Sequence, residues 1–239
     1  MSENVVQTES LGFFTLHHDQ TSVVSARSDV KFQWFDPDCE SLHAQPVQTG
    51  GRGAAWFVDL GIQQGVLRHY RRGGLISRLT KTLYVWGGLS KTRSFQEFYL
   101  MHQLQNLGLP VPTVMAAQVQ RVGFFFYKAA LITERIDGAR ALAECEDPEL
   151  WYAAGILIQT MHALGVWHAD LNVHNILVDS QGALWLIDFD RAQYPVYDSS
   201  RLQSNIERLE RSVLKVCPEK HELHWQMLSQ GYATDGPQA

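Results

Sequence analysis

Apolar positions along this chain change their period several times, and each change marks an element. Residues 54–60 and 66–70 are short β-branched and aromatic runs that read as strands around a turn at 61–65. From 92 to 107 the spacing is helical, with Phe95, Phe98, Met101, Leu104 and Leu107 near one face. Gly108 then reads as the cap, and Pro110 and Pro112 prevent continuation. Stretches 111–119 and 123–136 are again strand-like and close on the turn Asp137-Gly138. Asp147 before Pro148 is a cap followed by a first-turn proline. It opens a helix whose stripe of Leu150, Ala154, Leu157, Met161 and Leu164 runs up to Gly165. After a loop, the apolar run 183–187 reads as a strand. A last helix over about 204–216 turns Ile206, Leu209, Val213 and Val216 inward, with Glu207, Arg208, Glu210 and Arg211 toward water.

This order predicts an α+β architecture in two lobes, a β-rich N-lobe and a small helical C-lobe, with the boundary near residues 135–140. Residues 1–45 are polar with aromatic islands at Phe13-Phe14 and 32–35, and read as an N-terminal extension packing on the body. The N-lobe then takes 46–136 and the C-lobe 137–239. A chain of 239 residues, 45% hydrophobic, can bury a full core and is not a disordered one. A net charge of −5 provides no overall attraction to nucleic acid or to an anionic membrane, so such binding needs a local patch. Three cysteines without motif spacing suit a reducing compartment. No secretory leader is evident at the N-terminus, and no run approaches the roughly 18 apolar residues of a membrane span. The expectation is a cytoplasmic protein, with peripheral membrane association open.

Candidate chemistry is concentrated in His168-Ala169-Asp170-Leu171-Asn172-Val173-His174-Asn175 and in Asp188-Phe189-Asp190, which follows the apolar run. An aspartate that takes the proton of an attacking hydroxyl, and an asparagine and second aspartate that hold magnesium against phosphates, are the parts phosphoryl transfer requires. Asp170 is the candidate base, Asn175 and Asp188 the candidate metal ligands, and His168 a residue that holds the loop. The spacing resembles the catalytic and metal loops of the protein-kinase-like fold. A hydrolytic metal triad of His168, Asp170 and His174 is the competing reading, but no second His/Asp cluster completes it.

Two further features extend this reading. Gly50, Gly51 and Gly53 precede the first strand pair and suggest a hairpin that covers phosphates. Glu97, inside the first helix, can pair with Arg68 of the second strand and hold it against a nucleotide; arginine offers a bidentate fork where kinases of this fold carry lysine. Between Asp59 and Glu97 there is no acidic residue, yet Arg68, Arg71, Arg72, Arg78, Lys81, Lys91 and Arg93 are interleaved with Leu75, Ile76, Leu79, Tyr84, Val85 and Trp86. Such a basic, amphipathic stretch suggests an anionic partner: a phosphorylated lipid, a membrane surface or nucleic acid. Only residues 191–239 follow Asp190, with no A-P-E sequence, so a peptide-binding platform is not expected and a small or lipid-linked hydroxyl is the better acceptor.

Over most of its length the chain resembles the 3-deoxy-D-manno-octulosonic acid (Kdo) kinases of lipopolysaccharide assembly. The resemblance is carried by the stretches 66–75, 91–98 and 161–172. It implies ATP-dependent phosphorylation of the 4-hydroxyl of Kdo on the lipid A precursor, with Mg2+, at the cytoplasmic face of the inner membrane. It also implies Asp170 as base, Asn175 and Asp188 as magnesium ligands, Glu97 as the helix partner, and Arg68 in the lysine position. The basic stretch would then meet lipid A phosphates or an anionic membrane surface rather than nucleic acid. Two departures from the wider kinase pattern stand out: Ala169 replaces the arginine often found after the loop histidine, and Asp190 replaces the glycine of D-F-G. A kinase for a soluble hydroxyl or for a protein, and a non-catalytic scaffold, are the alternatives; the oligomeric state is not legible.

Overall fold

The computed structural model describes residues 6–10, 12–47, 55–61, 63–71 and 82–234. They divide into two compact units, one ending at His102 and resuming over Thr113–Arg135, the other comprising Gln103–Pro112 and Ile136–Ala239.

The first unit is built on an antiparallel sheet. Its strands are β1 (Val6–Ser10), β2 (Phe13–His18), β3 (Thr21–Ser25), β4 (Gln45–Pro46), β5 (Ala55–Asp59), β6 (Gln64–His69), β7 (Tyr84–Val85), β8 (Val114–Val122) and β9 (Phe126–Glu134). The order is β1-β2-β3-β8-β9-β6-β5-β4, with β7 also pairing β9. The described residues before 45 are therefore not an extension resting on the body. Their strand β3 pairs β8 from Thr21↔Gln120 to Ser25↔Ala116, so β1–β3 belong to the sheet itself. Alternation sorts the side chains. Leu67, Ala130 and Ile132 join Val23, Trp34, Phe35 and Leu42 in a core on one face. The neighbour of Leu67, Arg68, points to the other face, toward helix α1 (Arg93–Asn106). That helix buries Phe95, Phe98, Met101 and Leu104. Phe13 meets Phe98 edge-on at 5.2 Å, which ties the N-terminal strands to α1.

The second unit contains a three-stranded antiparallel sheet, β10 (Arg140–Ala141), β11 (Ile176–Val178) and β12 (Leu184–Leu186). Helix α2 (Pro148–Ala163) starts where Asp147 accepts from the Glu149 amide at 3.0 Å. It packs on α4 (His221–Ala233), an element the apolar pattern does not announce. Gly155 and Gly231 let the two backbones meet: a Cβ at Gly155 would lie 2.1 Å from the Leu228 carbonyl oxygen, and one at Gly231 2.0 Å from that of Tyr152. Between them in chain order comes α3 (Ser199–Val216), which begins earlier than the expected 204 because Asp198 caps the Ser200 amide. Val216, expected inward, is exposed. Among the described residues no helix is long and apolar enough to cross a membrane.

Candidate active site

In the first unit, Arg68 on β6 and Glu97 on α1 form an ion pair, Nη2 to Oε1 at 2.5 Å. The Tyr70 hydroxyl donates to the other oxygen, Oε2, so both lone-pair faces of a carboxylate that is only 2% exposed are engaged. The Arg68 guanidinium also lies 4.9 Å from the Tyr70 ring centroid. Period-2 geometry explains the trio: Arg68 and Tyr70, two residues apart, share the face that α1 covers. Gly50, Gly51 and Gly53 lie outside the described residues.

In the second unit, the loop after α2 is organised around His168, which is fully buried. Its Nδ1 accepts the Asp170 N–H at 3.1 Å, and its Nε2 faces the Ile187 carbonyl at 3.0 Å. A carbonyl can only accept, so the proton sits on Nε2 and the ring is neutral. Burial acts in the same direction, holding its pKa below the ordinary histidine value against the opposing pull of the Ile187 carbonyl and the Asp188 and Asp170 carboxylates. One ring thus joins the loop of Asp170 to the residue before Asp188. A second tie is the Ile187 N–H to Asn175 carbonyl bond at 3.0 Å. Buried Phe189, 4.9 Å from the His168 ring, fixes Asp188 from the other side. Asp188 itself has φ 65°, a left-handed conformation that aspartate tolerates better than most residues and that is found at functional sites. Among the described residues Arg191 is the other left-handed residue here, and Asp190 is not. Losing the glycine of D-F-G therefore costs no backbone conformation in this state.

The carbonyl of Asp170 accepts from the side-chain amides of Asn172 (2.8 Å) and Asn175 (2.9 Å). Its carboxylate is half exposed, as an acceptor for a substrate proton has to be. Helix α3 lies along the loop. Asn205 brackets the His168 peptide, accepting its N–H at 3.0 Å and donating to its carbonyl at 2.6 Å. Arg208 pairs with Asp170, and the Ser212 hydroxyl accepts from Val173 at 3.3 Å. Arg201 stacks over Trp167 at 4.5 Å. Positions 201, 205, 208 and 212 share one helix face, so the stripe serves successive residues of the loop.

A family model of the lipopolysaccharide kinase (Kdo/WaaP) family matches residues 38–232. The chain belongs to this family. It is 44% identical over 195 residues to a 3-deoxy-D-manno-octulosonic acid kinase of Xylella fastidiosa (strain M12), covering 80% of this chain and 78% of the relative. To the kinase of that name from Stenotrophomonas maltophilia (strain R551-3) it is 41% identical over 216 residues, covering 89% and 85%. To that of Xanthomonas axonopodis pv. citri (strain 306) it is 45% identical over 186 residues, covering 76% and 74%. A solved structure of WaaP in complex with acyl carrier protein superposes with a TM-score of 0.51 at 15% identity, covering 80% of this chain and 79% of that one. That likeness establishes the kinase-like α+β fold.

The donor set of this kinase fits magnesium. Because the Asn175 amide nitrogen is committed to the Asp170 carbonyl, the atom it has left to offer is its oxygen. With the Asp188 carboxylate that makes two hard oxygen donors. Among the described residues there is no cluster of three or more His, Cys, Asp or Glu able to hold a metal. Magnesium suits such a sparse set, since it takes one or two protein oxygens and completes its shell with water and substrate phosphates. The residues that sequence reasoning missed are Asn205 and Arg208, the latter assigned to water and found on Asp170. One signal for Asn205 was present: an asparagine in register with the buried positions Leu209 and Val213 requires a hydrogen-bonding reason.

Proposed function

We propose that this kinase transfers the γ-phosphoryl group of ATP to the 4-hydroxyl of Kdo on the Kdo-lipid A precursor, at the cytoplasmic face of the inner membrane. The observation that carries the reading is an intact transfer set, Asp170, Asn175 and Asp188, in a chain 44% identical to a curated Kdo kinase. Asp170 takes the acceptor's hydroxyl proton as that oxygen forms its bond to the γ-phosphorus. The bond from the γ-phosphorus to the bridging oxygen breaks, and ADP leaves with the electron pair. Arg68, oriented by Glu97 and Tyr70, binds nucleotide phosphate. Asn175 and Asp188 would hold Mg2+, which when bound neutralises phosphate charge. His168 and Asn205 keep the loop in one conformation and so limit reorganisation on reaction.

The test is transfer of label from ATP to purified Kdo-lipid A precursor by the wild type and by Asp170→Ala. Transfer by the first and none by a folded second supports acceptor and base together. Tight nucleotide binding without transfer would redirect the search to soluble hydroxyl acceptors.

A further inference from the structure

The hairpin joining β8 to β9 ends in an apolar tip. Strand pairing closes at Val122↔Phe126, leaving Gly123, Phe124 and Phe125 as the turn, with Gly123 at φ 63°. Turn tips ordinarily carry polar residues, yet Phe124 is 83% exposed and Phe125 73%. Val122 and Phe126 behind them are exposed as well, and Val85 of β7, paired directly with Phe126, extends the patch. The tip also projects beyond its neighbour. Pairing with β3 stops at Thr21↔Gln120, and the Arg121 N–H reaches the Gln20 carbonyl of the β2–β3 turn. Asp19, next to Gln20 in that turn, is an exposed carboxylate.

The rim is aromatic and cationic. The Trp86 N–H bonds the Phe125 carbonyl at 2.8 Å, and the Arg121 guanidinium lies 4.9 Å from the Trp86 ring. Lys128 is exposed on β9. Between Asp59 and Glu134 the sequence holds nine lysines and arginines and one acidic residue, Glu97, which is buried against Arg68 and Tyr70. In a chain of net charge −5 this is a strongly polarised stretch. A large exposed apolar patch marks an interaction surface. Tryptophan and arginine around phenylalanine suit a lipid interface, and the cationic rim complements anionic headgroups. A second copy docking the same patch would bring two cationic rims together.

We propose that the β8–β9 hairpin inserts Phe124 and Phe125 into the surface of an anionic bilayer, with Arg121 and Lys128 at the headgroups. The proposal rests on the reading of the chain as a kinase working on a membrane-borne acceptor, and names the element that docks it.

The test uses the full chain, co-sedimented with vesicles of phosphatidylethanolamine and phosphatidylglycerol, and with phosphatidylcholine vesicles for comparison. The wild type should bind the anionic vesicles, and F124S/F125S should bind at least about tenfold more weakly. Its thermal midpoint and its activity on detergent-dispersed acceptor should be unchanged. Equal binding by the variant overturns the proposal and assigns docking to the basic residues alone. A wild type that ignores vesicles while phosphorylating dispersed acceptor overturns it too, and leaves the kinase reading standing. Vesicle binding lost in the variant, with no transfer to the Kdo acceptor by either protein, supports the hairpin and defeats the acceptor assignment instead. If F124S/F125S instead dissolves a dimer or a complex with an acidic protein while vesicles go unbound, the partner is a protein and the proposal fails.

Discussion

Arg208 of α3 closes on one oxygen of Asp170: its Nε lies 3.0 Å from Oδ1, and its Nη2 donates to that same atom. A fork-to-fork pair would occupy both oxygens. Here both donors converge on Oδ1, which orients the carboxylate and leaves Oδ2 outside the pair, where the proposed mechanism needs a proton acceptor. Both side chains are about half exposed, so the pair contributes little to stability. Arg208→Ala is therefore expected to lower kcat by about tenfold to a hundredfold, the scale of losing a positioned group, with an unchanged thermal midpoint. Arg208→Lys should recover part of the loss. A kcat that survives the alanine would show that the contact is incidental.

Asp170→Asn tests the base separately from the loop. The backbone N–H and carbonyl of residue 170 make the bonds to His168, Asn172 and Asn175, and an amide side chain leaves them in place. Activity should fall by about 10²–10⁴ while the denaturation midpoint stays where it was. Retained turnover would remove Asp170 from the base role.

The His168–Asn175 loop and α1 were legible in the sequence because their signals are local: fixed spacings, a cap, a helical stripe. Much of the remainder depends on pairing across long separations. Strand β3, Thr-Ser-Val-Val-Ser, is short and half polar, and becomes a central strand only when β8 arrives from nearly a hundred residues away. Helix α4 presents His224, Leu228 and Gly231 as its buried face, a stripe with a single large apolar residue. His224 is there to stack on Trp151, 4.2 Å away with the rings 10° from parallel. Arg208 looks like any solvated helix residue until the loop is laid beside it. The loop's signals are local and could be read; the long-range partners packed around it were not.

His162 makes acid stability testable. Burial, the dominant cause, lowers its pKa from 6.5 to about 4, and the bond to Asn205 only partly opposes this. Its Nε2 faces Asn205 Oδ1 at 3.3 Å, and its Nδ1 faces the Tyr232 hydroxyl at 2.8 Å. Since the Asn205 oxygen accepts, Nε2 carries the proton and Tyr232 donates to Nδ1. Between about pH 6.5 and 4 the unfolded chain binds a proton on this ring that the native state does not. This ring's contribution is thus fully present above pH 6.5 and is lost as pH falls through that window, by roughly 3 kcal/mol in all. Urea denaturation of wild type and His162→Gln at pH 7 and pH 4.5 should show a smaller acid loss in the variant. Equal losses would mean that the ring titrates alike in both states.

The ion pair of Arg68 with Glu97 has an asymmetric cost. Glu97 is buried and Arg68 partly exposed, so removing the arginine takes its cation from a buried carboxylate, whereas removing the carboxylate leaves a cation that water can reach. Arg68→Ala should destabilise the first unit by about 3 kcal/mol, more than Glu97→Gln does. Arg68→Lys should keep most of the stability and raise the KM for ATP, because one ammonium cannot reproduce the fork. Paired denaturant curves and ATP titrations separate the two effects. Equal destabilisation by Arg68→Ala and Glu97→Gln would contradict the burial argument.

The contact of α2 with α4 sets how far the loop can be disturbed from behind. A methyl on Gly155 would meet the Leu228 carbonyl oxygen and the Tyr232 amide, 2.6 Å away, and backbone atoms cannot rotate aside as a side chain would. Gly155→Ala must push the helices apart, at about 1–3 kcal/mol for overpacking. The displacement acts on Tyr232, whose hydroxyl bonds His162, which bonds Asn205, which brackets His168. Loss of stability should therefore come with loss of kcat at temperatures where the variant is still folded. Gly231→Ala, 2.0 Å from the Tyr152 carbonyl oxygen, is expected to do the same. Near-native stability in both alanine variants would show that the helices have room to spare. Instability with full kcat per folded molecule would show that packing behind the loop does not reach Asp170.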